Sequence, residues 1–505
     1  VECAAVNSIA RLLALSLAFI LVVAGLAFFT TSAGVNHRTE SVSPSDGVQE
    51  AWAARYNGPG NGNDLATAIA VDVSGNVFVT GESAGTSSDY ATIKYDSAGQ
   101  EQWVARYDGP ANDGDAASAI ALDSSGNVYV TGRSFMSHTQ NLSDYATIKY
   151  NAAGQEQWVA RYHGSSGFGD RSVGIAVDAA GNVYVTGTSS GSGTGYDYAT
   201  IKYDSAGQEQ WVARYNGQGN SDDEAAAIAI DNSGGVYVTG TSGSGLDYAT
   251  IKYNSAGQEE WAAVYNGTGN GQDEANAIAV DESGNVYVTG ISTGSGTGFD
   301  YATIKYDSAG QEQWVARYDG PASGDDSAVA IAVDSGGNVY VTGESVAAYA
   351  TVKYNSAGAE QWVAQYANGG ASAIAVDAAN NVYVTGTGSG DYVTIKYNSD
   401  GQEQWVARYD ESSNDTAKAI AVGQGNVYVT GLSGPGNGFF DYATIKYVQG
   451  ATTPTPTPTG TPVPTPTSTA TATATATPTA TGTPGPGRPT PRPRPSPHPR
   501  PLPRF

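Results

Sequence analysis

An aspartate returns at Asp64, Asp115, Asp170, Asp223, Asp273, Asp326 and Asp415, each five residues ahead of an isoleucine; Gly369 takes its place once. Three of these have an acidic neighbour, Glu224, Glu274 or Asp325. A set of carboxylates converging on one place is a hard-oxygen site suited to Ca2+. The same residue, copied by a repeat, also suits a structural role, in which an aspartate caps its own loop by accepting backbone N–H groups. Both readings follow from the spacing.

Acid–base or nucleophilic chemistry needs residues that break such a repeat. The chain has four histidines, His37, His138, His163 and His498. His138 lies in "RSFMSHTQNLSD" (133–144) and His163 opens "HGSSGFGDR" (163–171). No nucleophile, base and orienting group stand together around either one, and no metal-ligand spacing includes them. These two segments also hold Phe135, Met136, Phe168 and Arg171. With His138 and His163 they form a candidate binding patch.

The elements that must carry these residues are written by the repeat. Eight tryptophans, Trp52, Trp103, Trp158, Trp211, Trp261, Trp314, Trp362 and Trp405, recur at intervals of 51, 55, 53, 50, 53, 48 and 43 residues. Each interval holds four short segments of period two, such as "AWAARY" (51–56), "ATAIAVD" (66–72), "GNVFVTG" (75–81) and "DYATIKY" (89–95). Alternation, β-branched and aromatic residues, and Gly or Asp punctuation all read as strands. Four strands per repeat of about 50 residues is the pattern of a propeller blade. The "AIAV" segment sets Ile and Val on one face and Ala on the other, which suits the crowded innermost strand. It is strand A; "NVYV" is B, "YATIKY" is C, and the tryptophan strand is D.

The chain therefore reads as one D strand, seven A-B-C-D sets and a final A-B-C. The predicted fold is an all-β, eight-bladed β-propeller of antiparallel four-stranded blades. The N-terminal strand completes the last blade and covers both open edges. A seven-bladed ring with an extra repeat is the alternative. The hairpin register expected from the first repeat puts Thr92 near Trp103 and Lys94 near Glu101 as a cross-strand ion pair. Carried to the ends, it puts Thr444 beside Trp52 and Lys446 beside Glu50.

The "AIAVDSSGNVYVTG"-type segments, followed by "YATIKYDSAG" and a tryptophan, resemble the SBBP-type β-propeller repeats of exported bacterial proteins. The resemblance runs from Gln49 to Tyr447 and implies the fold; it implies little about activity. The turn "YDSAGQEQW" also resembles the docking turn of eight-bladed quinoprotein propellers, which supports eight blades without bringing a quinone cofactor.

Acidic residues outnumber basic ones 49 to 24, giving a net charge of −25. That balance excludes a nucleic-acid partner, whose phosphates need Lys and Arg. The single cysteine, Cys3, forms no internal disulfide. Residues 1–34, with Arg11 before an apolar run from Leu12 to Phe29, read as a signal peptide or an uncleaved membrane anchor. Residues 35–47 read as a linker and 48–447 as the propeller. The Thr/Pro-rich and then Pro/Arg-rich segment 448–505 reads as an unfolded stalk whose arginines suit an acidic cell-envelope polymer.

The expected function is a monomeric, non-catalytic scaffold, secreted or held at the cell surface, that binds an extracellular protein or glycan. The alternative is an extracellular enzyme of quinoprotein or lyase type, with its site on the variable-loop face.

Overall fold

The computed structural model describes residues 47–450, apart from 138–141, 166–168, 322–323, 347, 412–413 and 435–437. The export, linker and stalk assignments thus fall almost wholly outside the described residues. Those described fold into 32 strands in eight four-stranded antiparallel sheets. Among them no helix is long and apolar enough to cross a membrane.

Each sheet follows the order A-B-C-D. The first blade, for example, runs Asp64–Val71, Val77–Ala84, Ser88–Tyr95 and Glu101–Tyr107. The A strands of neighbouring blades touch all the way round, which places them innermost and closes the ring. The eighth blade is built from both ends of the domain. Its A, B and C strands are Asp415–Gly423, Asn426–Ser433 and Asp441–Gln449, and its D strand is the N-terminal β1, Val48–Tyr56.

The core lies between blades, and the strand alternation explains it. On B and C, Val77, Val79, Ala91, Ile93 and Tyr95 share one face; Phe78 and Tyr90 share the other. The first face packs on Tyr428, Tyr442, Trp52 and Tyr56 of the preceding blade. An aliphatic face against an aromatic face repeats at every blade boundary, so the side chains interdigitate at core density. Hydroxyls stitch the layers. Thr80 and Thr92 lie 2.9 Å apart within a blade, and Tyr90 donates to the Ala146 carbonyl of the next at 3.2 Å.

The C–D register differs from the expectation. Lys94 pairs with Trp103 and Tyr95 with Glu101, leaving Gln102 in a bulge, while Thr92 faces Ala105. At ring closure Trp52 pairs with Lys446, Glu50 with Tyr447 and Ala54 with Thr444. Two residues separate this register from the expected one: the turn pairs Glu101 with Tyr95 and not Lys94, and the bulge then absorbs one more residue.

Lys94 consequently stands opposite Trp103 and not Glu101, and the cross-strand ion pair of a strand-C lysine is seen in the fourth blade with the residue after the expected glutamate, Lys252 to Glu260 at 3.0 Å. Lys94 Nζ and Trp103 Nε1 both donate, at 3.2 Å, to the Ala152 carbonyl in the C–D turn of the next blade. Lys94 also lies 5.2 Å from the centre of the Phe78 ring. The same double donation recurs at Ser205, from Lys149 and Trp158. At the closure the acceptor turn does not exist, because the chain enters at Gly47 and leaves at Gly450, whose N–H donates to the Gly47 carbonyl at 3.1 Å. Trp405 Nε1, buried there, has no hydrogen-bond partner, and Lys396 turns to Gln449.

Candidate functional site on the variable-loop face

Chain connectivity puts the A–B and C–D turns on one face of the disc and the D–A and B–C loops on the other. The first kind is occupied by its own structure. Asp72 accepts N–H bonds from Ser74 and Asn76 at 2.8 and 2.9 Å, with Gly75 at φ +79°. In the A–B turn of the fifth blade, burial opposes ionisation of Asp281. Bonds from Asn285, Tyr287 and Ser283 outweigh it and hold the carboxyl below its usual range.

The recurring aspartates sit beneath the second kind of loop, buried rather than lining an open mouth. Asp64 is 0% exposed and accepts from Gly58 N at 2.8 Å and Ala84 N at 3.1 Å. Asp223 accepts from Gly217 and Gly243, and Asp273 from Gly267 and Thr293, in the same way. Asp115, Asp170 and Asp415 likewise accept loop N–H groups. Burial pushes the Asp64 and Asp115 carboxyls up against these bonds. Each of these aspartates ties its D–A loop, and most also tie the B–C loop of the same blade.

An arginine network, not anticipated from the sequence, does the rest. Arg106 donates to Tyr56 of the preceding blade, to the hydroxyl and carbonyl of Ser83, and to Asp89 at 2.7 Å. Arg55, Arg161, Arg214 and Arg317 make matching contacts with serine and aspartate. Val264 and Gln365 interrupt the series. Comparing the repeats column by column would have revealed it.

The same comparison locates the variable positions. The residue that follows the recurring aspartate, or Gly369 in its place, at the start of strand A reads Leu65, Ala116, Arg171, Glu224, Glu274, Ser327, Gly370 and Thr416. Its partners on strand B read Glu82, Arg133, Thr188, Thr241, Ile291, Glu344, Thr387 and Leu432. The residues around them hardly change. These pairs stand at the loop end of the innermost strands, around the axis.

Two adjoining cavities open there. One of about 330 Å3 is lined by Arg133, Phe135, Ser143, Gly169, Arg171, Thr188, Tyr196 and Glu224. The other, of about 520 Å3, shares Arg171 and Glu224 and extends to Leu246, Glu274 and Asn276. Arg171 crosses between blades to Glu224 at 2.5 Å, with both side chains about half exposed. The Arg133 guanidinium lies 5.8 Å from the Phe135 ring centre.

Of the patch residues, Phe135 and Arg171 meet in this groove. Met136 is extruded by a bulge in strand B and is 45% exposed. His163 lies apart from the groove lining: its Nδ1 is 2.9 Å from Asp144 Oδ1 and 3.6 Å from Asp170 Oδ2, both carboxylates buried. His138 and Phe168 lie outside the described residues.

Residues 157–193, 210–247 and 264–296 match the family model of the SBBP β-propeller repeat. Each SBBP match begins in a D strand and runs through A and B into the B–C loop, so the matched unit straddles a blade boundary. No curated relative matches the sequence. Among solved structures, the Dos1 propeller aligns with 78% of this chain and 93% of its own, at 10% identity and a TM-score of 0.51, a likeness of fold. The polysaccharide lyase Uly1 aligns with 70% of this chain and 93% of its own, at 12% identity and a TM-score of 0.41.

Proposed function

We propose that the propeller is a non-catalytic binding module displayed outside the cell, and that its ligand is an acidic glycan seated in the Arg133–Arg171 groove. The observation that carries this reading is the convergence of two single-copy arginines, Arg133 and Arg171, at the axis of a strongly acidic ring. Arginine presents a planar fork that matches a carboxylate or sulfate. Phe135 and Tyr196 supply the aromatic surface that sugar rings stack on. The joined cavities suit a few sugar residues better than a broad protein surface. The N-terminal apolar run serves export in this reading, and the Pro/Arg-rich tail touches an acidic envelope polymer.

An array of acidic and neutral glycans, probed with the full chain and with the R133A/R171A double variant, tests the reading. Acidic glycans retained by the wild type and lost by the variant are the expected result. Retention of neutral glycans alone, or an unchanged profile in the variant, would overturn it.

The His163–Asp144 contact favours a second reading, an enzyme, because a buried carboxylate orients an exposed imidazole as it does for a general base. Chain cleavage of a bound glycan that H163A abolishes would move the protein into that class.

A further inference from the structure

At the boundary of the fifth and sixth blades, three sequence differences combine to leave oxygens without partners. Asp319 follows the D strand of the fifth blade, Glu312–Tyr318, where other blades carry Asn57, His163, Asn216, Asn266, Ala367 or an aspartate, Asp108 and Asp410. Its carboxylate gathers with those of Asp300 and Asp326; one oxygen from each lies within 4.8 Å of the others. Asp326 is 0% exposed and Asp300 4%.

The second difference is the B–C hairpin of the sixth blade, where only two residues separate Ser345 from Ala348. In five other blades the recurring aspartate turns Oδ1 to an N–H of the longer B–C hairpin. Here Asp326 keeps its bond from Gly320 N, at 2.6 Å, and its Oδ1 has no partner. The third is Gln365. It stands where an arginine would grip the strand-B serine, and it donates to Tyr318 instead. The Ser345 hydroxyl, 2% exposed, loses the arginine and faces only the Tyr318 hydroxyl. Ser345 Oγ and Asp326 Oδ1 lie 2.2 and 2.8 Å from where a β-carbon on Gly320 would sit, the placing that the serine and aspartate also have at Gly58, Gly217 and Gly267; what differs here is the missing donor to Oδ1. Asp300 Oδ1 is also buried and unpartnered; its Oδ2 takes Arg317 at 2.8 Å.

We infer that Asp300, Asp319, Asp326 and Ser345 form a divalent-cation site of the calcium type, which clamps the fifth blade to the sixth. Every donor is a hard oxygen, as Ca2+ requires. Three carboxylates face one guanidinium, and buried carboxylate oxygens without donors are costly unless a cation replaces the missing N–H groups. Asp319 is exposed and gives the ion its entry. At the next boundary the set disappears together: Ala348, Ala367 and Gly369 replace the three aspartates.

Calorimetric titration of the chelator-treated full chain with CaCl2 tests the site, beside the variants D319N and D108N. Asp108 holds the matching place in the first blade, where Asp115 has donors on both oxygens. The expected result is saturable binding, weakened at least tenfold by D319N and unaffected by D108N. S345A, which leaves the charge unchanged, should weaken it as well. Absence of saturable binding to the wild type, or equal weakening by D319N and D108N, would overturn the proposal.

Discussion

The indole of Trp158 packs against the α-carbon of Gly207 in the next blade; a β-carbon there would come within 2.6 Å of Cδ2. Gly207 also holds φ +79°, a conformation open to glycine at little cost. One residue thus serves the turn and the docking of a neighbouring blade.

G207A should therefore destabilise the ring by about 1–3 kcal/mol, from overpacking added to backbone strain. G193A is the control. Gly193 has φ +85° with nothing within 4 Å of a β-carbon, so only the backbone term applies. Thermal unfolding of the two variants should separate them, G207A melting lower. Equal melting temperatures would show that the docking contact contributes nothing.

Ring closure by β1 can be locked covalently. Ala54 and Thr444 are cross-strand partners. The pair A54C/T444C should form a disulfide under oxidising conditions, seen as a faster-running band without reductant. It should raise stability by about 2–4 kcal/mol. A54C with K446C, out of register, should cross-link poorly.

Val264 marks a missing arginine, and its effect should depend on pH. Burial, and then Asp273, raise the Asp247 carboxyl above its usual value, and its Oδ1 is buried without a partner. A raised carboxyl binds its proton more tightly folded than unfolded. That contribution is fully present below the unfolded value of about 3.9 and is lost as pH rises through the folded one. V264R should restore the guanidinium found in neighbouring blades. It should stabilise the protein near pH 7 and add less as pH falls towards 4. A pH-independent difference between V264R and wild type would rule out this origin.

Arg171 should matter for binding and little for folding. Its bridge to Glu224 is solvent-exposed, a class of pair that contributes about 0–1 kcal/mol. R171A should keep the wild-type melting temperature while losing retention of acidic glycans. A large drop in melting temperature would make Arg171 a structural residue.

Blade number, strand order and closure were legible because period-two patterning and eight tryptophans determine them with little help from tertiary context. Registers were not, because Gln102 and Ala51 are absorbed in bulges that no local residue announces. Opposite Lys94, Trp103 stands two residues from Glu101: one is the bulged Gln102, the other is set by the turn, which pairs Glu101 with Tyr95. The roles of Asp64 and Asp273 needed three-dimensional neighbours, since capping and cation binding ask for the same side chain. Arg133 carries no signal within its own segment; its signal lies in the column it shares with Glu82 and Thr188.

The hydrogen bond from Gly450 to Gly47 stands where the other seven blades carry a C–D turn. Topologically the seam is one of eight equivalent openings, so the ring has no intrinsic first blade. A circular permutant follows: Tyr447 and Glu50, partners as Tyr95 and Glu101 are, joined by a turn like Asp96–Gln100 in place of residues 448–450 and 47–49, and the chain reopened at another C–D turn. It should rebuild the same disc with its ends moved around the rim. The bridging turn would offer Trp405 the carbonyl that it lacks. The groove, on the opposite face, would keep its geometry while its direction relative to whatever holds the ends could be set in steps of one blade.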